Sequence, residues 1–362
     1  MVYKVLHYLF FEAGYKGMSK QIKTIEHFAG HKKKLWGGFV IALVLSIVYT
    51  VFAANMPSYT ELIKQLGITQ QDLARLDQGD IVFFDISESS ERELTAGAAM
   101  YVSASPAKIS EVIKREDLVS LDTAVIAAGV IPLQATEEAF KGFSFKAGSE
   151  AVDDFWEAKP GSQLNLSRQE FQSIKAASPK SLDGASAMYR KFLWQRWQAY
   201  RKEGLKGIAN YDRGDGEEAS PRQELKAALL ESKVIEKYFP ALYKAWLNYP
   251  VDFSVGIEEA FFWSNRIVQG SPTAILVHRV SSSESAGELI LARQFYVGRA
   301  FNSNQLIIAC LPYGKGALVF YLNRTFTDQT AGFGSSLKHF IGDNQAQSEI
   351  TKLLINLRNT VK

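Results

Sequence analysis

The polar residues best placed to bind a ligand follow a strand-like run near the C-terminus. The run "ALVFYLN" ends at Asn323, Arg324 is next, and Asp328 lies four residues further on. The planar arginine fork can hold a carboxylate or a phosphate through two hydrogen bonds. Arg324 could therefore meet the head group of a ligand, or it could pair with Asp328 and fix the turn. The spacing leaves both interpretations open.

A second polar group interrupts the apolar run "ELILARQFYVGRAF". Alternation along a strand predicts that Arg293 and Arg299 share one face, and that Gln294 and Tyr296 share the other. Such side chains either orient a ligand in an apolar pocket or face solvent. His278, inside "AILVHRV", is a further candidate. A core role is favoured for it, because neither a nucleophile nor a carboxylate lies near it in the sequence.

Motifs for catalysis, metals or cofactors are not recognisable, so no catalytic residue, metal ligand or cofactor is predicted. "NYDRGDGEEA" lacks the spacing of an EF-hand and is interpreted as an acidic loop rather than a calcium site. Cys310 is the only cysteine and is interpreted as a small buried hydrophobe. These observations favour a binding protein over an enzyme.

Five strand-like runs carry the candidate residues. Turn sequences such as "QGSP" and "PYGKG" separate them, and this close spacing predicts an antiparallel meander. The runs are "AFFWSNRIV", "TAILVHRV", "ELILARQFYV", "QLIIAC" and "ALVFYLN". A final helix is predicted from the apolar stripe of Ile350, Leu353, Leu354, Leu357 and Val361.

Helices and strands also precede the meander. Capping boxes at Ser58, Thr69 and Ser167 predict three helix starts, and Ser105-Pro106 predicts a fourth. Strands are predicted at "DIVFFDI", "ELTAGAAMYVSAS", "TAVIAAGVIP" and "FKGFSF". Residues 150–248, called here the helical block, are mostly helical in pattern. The tryptophans of the block are interpreted as core residues, with a surface for a protein partner as the alternative.

The stretch "HKKKLWGGFVIALVLSIVYTVFAAN" predicts export. Residues 35–54 form a run of 20 residues without a charge, about the length of a membrane-spanning helix. Three lysines precede it, which predicts that residues 1–34 are a basic cytoplasmic segment. Small residues around Ala53 would also suit a cleaved signal peptide, with Met1 or Met18 as the start. Signal peptide and transmembrane anchor both stay open, and either one places residues 55–362 in the periplasm.

The charge distribution argues against a nucleic-acid partner. Seven lysines and two glutamates give residues 1–53 a net charge of +5, so the rest of the chain carries −2 of the total +3. The basic character belongs to the N-terminal segment, and no basic stripe remains to neutralise a phosphate backbone.

The start of the exported part resembles START-like, helix-grip domains. The matching residues are "GDIVFFDI" and "TAGAAMYVSASPAKISEVIKR", and a final helix after a meander is also similar. The resemblance implies an α+β fold in which a curved antiparallel sheet surrounds the C-terminal helix. The helical block would be an insertion. The resemblance further implies a cavity that binds a hydrophobic or lipid-like molecule.

Other pieces are similar to a group of exported bacterial proteins of uncharacterised activity. They are "KPGSQLNLS", "WQAYRKEGLKGIANYD", "FFWSNRIVQGSPTAILVHRV", "RQFYVGRAF" and "YLNRTFTDQTAGFG". This sequence departs from the group at Gly298-Arg299, where the group often has histidine. The resemblance implies export and gives no reaction.

Three functions follow as hypotheses. The first is a periplasmic or membrane-anchored protein that binds a lipid-like ligand in the cavity, with Arg324 at the head group. The second is an envelope protein whose helical block binds a protein partner, and the third is an envelope hydrolase of unrecognised type. For the first, the predicted cavity lining is Phe83, Tyr101, Ile275, Val277, Phe295, Ile307, Val319 and Tyr321, or their neighbours along the strands.

Overall fold

An antiparallel sheet forms the centre of the molecule. The computed structural model describes residues 56–115, 122–161, 164–284, 287–328 and 335–361. The strands in these residues are β1 (Ile81–Phe84), β2 (Glu93–Val102), β3 (Val125–Val130), β4 (Tyr211–Gly214), β5 (Glu217–Ala219), β6 (Ile257–Val268), β7 (Ser271–Glu284), β8 (Gly287–Val297), β9 (Ser303–Tyr313) and β10 (Gly316–Phe326). The sheet has the order β1-β2-β10-β9-β8-β7-β6-β3, and β4 pairs with β5 in a separate hairpin.

Along the chain, helices precede, separate and follow the strands of this sheet. They are α1 (Tyr59–Gln65), α2 (Gln70–Asp77), α3 (Pro106–Lys114), α4 (Glu150–Trp156), α5 (Arg168–Ala176), α6 (Leu182–Glu203), α7 (Pro221–Leu230), α8 (Lys233–Tyr238), α9 (Pro240–Leu247) and α10 (Ser335–Val361). Short 3-10 turns span Glu137–Phe140 and Gly204–Gly207. The fold is therefore α+β, and Ala54–Lys362 forms one compact unit.

One face of the sheet packs against α3 and α10 and is called the α10 face. Met100, Ile308, Cys310 and Val319 point to this side and contact a core that includes Leu354 of α10. Because side chains alternate along a strand, the residues between them point to the opposite side. The α10 face thus receives every second residue of β2, β9 and β10.

The opposite face, called the block face, is covered by α1, α2 and the helical block. Leu289, Leu291, Leu318 and Phe320 pack there against α1, α2 and α7 to α9. Aromatic side chains of β6 and β8, such as Phe261 and Phe295, pack against α4 to α6 in an adjoining core. Burial on both faces explains why β8 and β9 read as almost continuous apolar runs.

Local sequence signals set the ends of several elements as predicted. Ser58, Thr69 and Ser167 each form a capping box with the residue three positions later. The five late strands and the final helix are confirmed. Burial supports the core interpretation of the block tryptophans: Trp156, Trp197 and Trp246 are buried, and the half-buried Trp194 packs against the same core as Trp156 and Trp197.

Two predictions of local structure were wrong. "FKGFSF" is not a strand: it leaves the 3-10 turn as a loop whose Phe143 and Phe145 rings pack on Tyr189. The acidic loop lies partly in the β4–β5 hairpin. There Asp212 accepts a hydrogen bond from the Gly214 amide and pairs with Arg168 at 3.3 Å.

The predicted membrane segment at residues 35–54 lies outside the described residues, as does the basic segment before it. Within the described ranges, no helix has the length and apolar character that crossing a bilayer requires.

Candidate functional site

A cleft of about 610 Å³ opens on the α10 face, and we call it the α10 cleft. It lies between α10, the C-terminal end of β10, the start of β2 and the β6–β7 hairpin. Its lining residues are Leu94, Thr95, Ala96, Ala124, Arg266, Ile267, Val268, Gln269, Gly270, Ala300, Phe301, Asn323, Thr325, Thr327, Gln345, Ala346 and Glu349. The volume falls in the range of about 300–1,000 Å³ that is usual for small-molecule sites.

Among the described side chains of α10, the large apolar ones lie at one end of the helix. Towards the C-terminus of α10, Ile350, Leu354, Leu357 and Val361 are buried against the sheet and α3. Beside the cleft, α10 instead presents Ala346, and the sheet presents small or polar residues. The change from large to small side chains leaves an unfilled space between the helix and the sheet.

Four polar residues form a band next to the cleft, which we call the amide shelf: Gln294, Asn304, Asn323 and Thr325. Gln294 pairs with Asn304 across β8 and β9, and Asn304 pairs with Thr325 across β9 and β10. Asn304 Nδ2 lies 2.5 Å from Asn323 Oδ1 and 2.8 Å from Thr325 Oγ1. Asn323 Nδ2 donates to Thr325 Oγ1 at 3.0 Å.

The charged groups of the cleft neutralise one another. Arg266 Nε lies 2.6 Å from Asp122 Oδ2, and its Nη2 lies 3.0 Å from Glu349 Oε2. Lys352 Nζ approaches the other Glu349 oxygen at 3.4 Å. Burial opposes the charge of Arg266, but the two carboxylates outweigh it and raise the pKa of the guanidinium. Two cations and two anions thus form a chain with no net charge.

Arg324 does not lie in the cleft, and the predicted Arg324–Asp328 pair is not formed. Alternation turns Arg324 to the block face, where its Nη1 pairs with the fully buried Glu93 at 2.7 Å. Asp328 instead pairs with Arg213 at 2.8 Å and with Arg92 at 3.3 Å. Asn323, one residue earlier, is the predicted site residue that lines the cleft.

Arg293 and Tyr296 also lie on the block face. A bulge in β8 puts Leu276 opposite Tyr296 and Val277 opposite Gln294, so Phe295 is an extra residue. The predicted shared face of Gln294 and Tyr296 is therefore wrong. Tyr296 Oη lies 2.8 Å from the Tyr189 hydroxyl of α6 instead.

Arg293 is a fully buried cation held by neutral groups. It donates to Tyr200 Oη at 3.0 Å and to the Trp246 carbonyl at 3.1 Å, and its guanidinium lies 4.1 Å from the centre of the Trp246 ring. Arg299, near the end of the same strand, contacts Asp154 of α4 at 2.9 Å. Both arginines fix the helical block to the sheet and lie away from the α10 cleft.

His278 is a core residue whose partners lie far from it in the sequence. Its Nδ1 lies 2.8 Å from Tyr200 Oη, and its Nε2 lies 3.1 Å from Glu259 Oε1 on the neighbouring strand in a contact too bent for a hydrogen bond. Burial lowers the pKa of His278 to about 4.

The predicted cavity lining is divided between the two faces. Phe83, Val319 and Tyr321 contact the α10 core, whereas Tyr101, Ile307 and Phe295 contact the cores of the block face. They cannot surround one ligand. Arg266, Asn304 and Thr325 were missed, although the period of two that continues past Leu306 and Tyr321 places Asn304 and Thr325 on the α10 face.

Comparison with family models, with curated proteins and with solved structures finds no match for this chain.

Proposed function

We propose that the protein binds a small amphipathic molecule, hydrophobic or lipid-like over most of its length, in the α10 cleft. The observation that carries the proposal is the cleft itself: about 610 Å³ between the sheet and a helix that packs closely against it over residues 350–361. Leu94, Ile267, Val268 and Phe301 offer it apolar contacts. Amides, threonines and one paired arginine offer it hydrogen bonds.

The proposed fold is a START-like helix-grip with a helical insertion. The strand order supports it. The first long strand (β2) pairs with the last strand (β10), the meander β6 to β10 follows across the sheet, and β3 pairs with β6 at the far edge. The final helix α10 packs on β2 and α3. Residues 150–248 then form an insertion between β3 and β6 that covers the second face of the sheet.

The proposed location is the bacterial envelope. Residues 35–54 would act as a signal peptide or as an anchor in the inner membrane, with the α+β unit in the periplasm. The cleft would then meet its ligand at or near a lipid surface.

Photo-crosslinking tests the cleft directly. The probes are octyl chains that carry a diazirine and end in a glycerol ester, a carboxylate or a trimethylammonium group. Each is irradiated with the full chain in mild detergent, and the labelled peptides are mapped by mass spectrometry. We expect at least one probe to label peptides that contain residues 94–96, 266–270 or 345–349.

A matched pair of variants on α10 provides the control. Ala346→Trp places a large side chain in the cleft and should abolish labelling there. Ser348→Trp adds the same ring at an exposed position of the helix that does not line the cleft, and should leave the labelling unchanged. Labelling by no probe, or equal labelling of both variants, would reject the cleft as a binding site.

A further inference from the structure

We propose that the ligand of the α10 cleft ends in an uncharged polar group that accepts hydrogen bonds, such as a hydroxyl, an ester or a carboxamide, and that the amide shelf donates to it. This inference rests on the proposed function and adds the chemical class of the ligand. Its basis is the direction of each hydrogen bond in the shelf and the balance of charge around the cleft.

The shelf has a donor left over. Thr325 Oγ1 accepts from both Asn304 Nδ2 and Asn323 Nδ2, which occupies its two lone pairs. Its hydroxyl hydrogen has no partner among the residues that the structure describes. The second hydrogen of Asn323 Nδ2 likewise has no hydrogen-bond partner among these described residues. A ligand oxygen could therefore accept hydrogen bonds from both groups.

The shelf also has an acceptor left over. Gln294 Oε1 is buried and, within the described part of the chain, has no hydrogen-bond partner. A buried polar atom of this kind is costly unless a donor reaches it. It belongs to the residue directly across from Asn304, and neither of these two residues is among those that line the cleft. The shelf groups that face the cleft are therefore the donors of Thr325 and Asn323, and the oxygen of a hydroxyl, an ester or a carboxamide can accept from both.

The charges around the cleft argue against an ionised head group. Arg266 already holds two carboxylates, and Glu349 also has Lys352. An anion would have to compete with Asp122 and Glu349 for Arg266, and a cation would meet Arg266 itself. Burying a charge that finds no free partner is unfavourable. A neutral group meets neither obstacle.

The experiment ranks unlabelled competitors against the crosslinking probe that labels the cleft best. The competitors are 1-octanoylglycerol, octanoate and octyltrimethylammonium, which share a chain length and differ in charge. We expect 1-octanoylglycerol to compete at concentrations at least tenfold lower than either ion.

Asn323→Leu tests the shelf, with Asn359→Leu, at an exposed position of α10, as the matched control. We expect Asn323→Leu to weaken competition by 1-octanoylglycerol about tenfold, the usual cost of losing a polar partner. Competition by the two ions should change less than twofold, and Asn359→Leu should leave all three competitors unchanged. Thermal unfolding of each variant confirms that it remains folded.

The outcomes separate this inference from the function on which it rests. A charged competitor that is stronger than 1-octanoylglycerol overturns the ligand class but leaves the cleft as a binding site. Preference for 1-octanoylglycerol with no effect of Asn323→Leu overturns the shelf as its subsite. Absence of cleft labelling by every probe rejects the proposed function itself.

Discussion

His278 shows how one buried side chain can set the pH dependence of the whole fold. The folded protein keeps the imidazole neutral, because burial disfavours the charged form more strongly than Glu259 favours it, and the pKa is about 4. The unfolded chain takes up a proton near the ordinary histidine pKa of 6.5. Below that pH the unfolded state therefore binds more protons than the folded state.

We predict that the free energy of unfolding falls as the pH drops from about 6.5 towards about 4, by up to ~1.4 kcal/mol per pH unit. Above pH 6.5 this contribution is fully present. Urea unfolding at pH 7.5, 6.5 and 5.5 measures the slope before ordinary carboxylates titrate. His278→Phe should remove most of it, and an unchanged slope in the variant would assign the pH dependence to other groups.

The end of α6 depends on a glycine that no other residue can replace without strain. Gly204 has φ +58°, and its amide donates to the Tyr200 carbonyl at the last turn of the helix. A Cβ at this position would overlap the carbonyl oxygen of Tyr249. Tyr249 stacks on Tyr200 and accepts a hydrogen bond from Arg201, so a shift there would disturb the core around His278.

We expect Gly204→Ala to lower the free energy of unfolding by more than about 3 kcal/mol, since it adds a clash to a left-handed backbone. Gly67→Ala is the matched control: its φ is +68° and its missing Cβ points into open space. That change should cost only about 1 kcal/mol, the price of the backbone conformation alone. Equal costs in urea unfolding would show that Tyr249 moves aside freely.

Much of the element structure could be predicted from the sequence, because local signals determine it. Serine and threonine caps and the turn-separated meander correctly predicted helices and strands. The faces of the strands could not be predicted as well, since apolar side chains cover both. The bulge at Phe295 reversed the expected position of Tyr296, and the partners of Arg324 and His278 depend on strand register. The cleft depends on where residues of six separate segments meet, many of them small.

At the scale of the whole molecule, the central sheet joins cores on its two faces. The tryptophans in the described part of the chain, among them Trp197, Trp246 and Trp263, all belong to the cores of the block face. The helix α10 packs on the other face. Tryptophan fluorescence in this region therefore reports on one face only, while far-UV circular dichroism reports on both.

We predict that Leu354→Ala, in α10, lowers the melting temperature equally by both methods. Leu354 is buried against strands that also carry the block-face cores, and a leucine-to-alanine change in a core costs about 2–5 kcal/mol. Asn359→Ala, exposed on the same helix, should leave the melting temperature unchanged. Loss of helical signal before the fluorescence changes would show that α10 detaches independently of the block face.

The buried position of Cys310 means that its rate of alkylation can report on the opening of the core. The single thiol of the chain lies in the core beneath α10, and burial raises its pKa to about 12. Only the thiolate reacts readily with alkylating reagents, so the folded protein hides its one nucleophilic sulfur. Each reaction with such a reagent would record an event in which α10 and the sheet had separated, and the rate of alkylation would measure how often that happens.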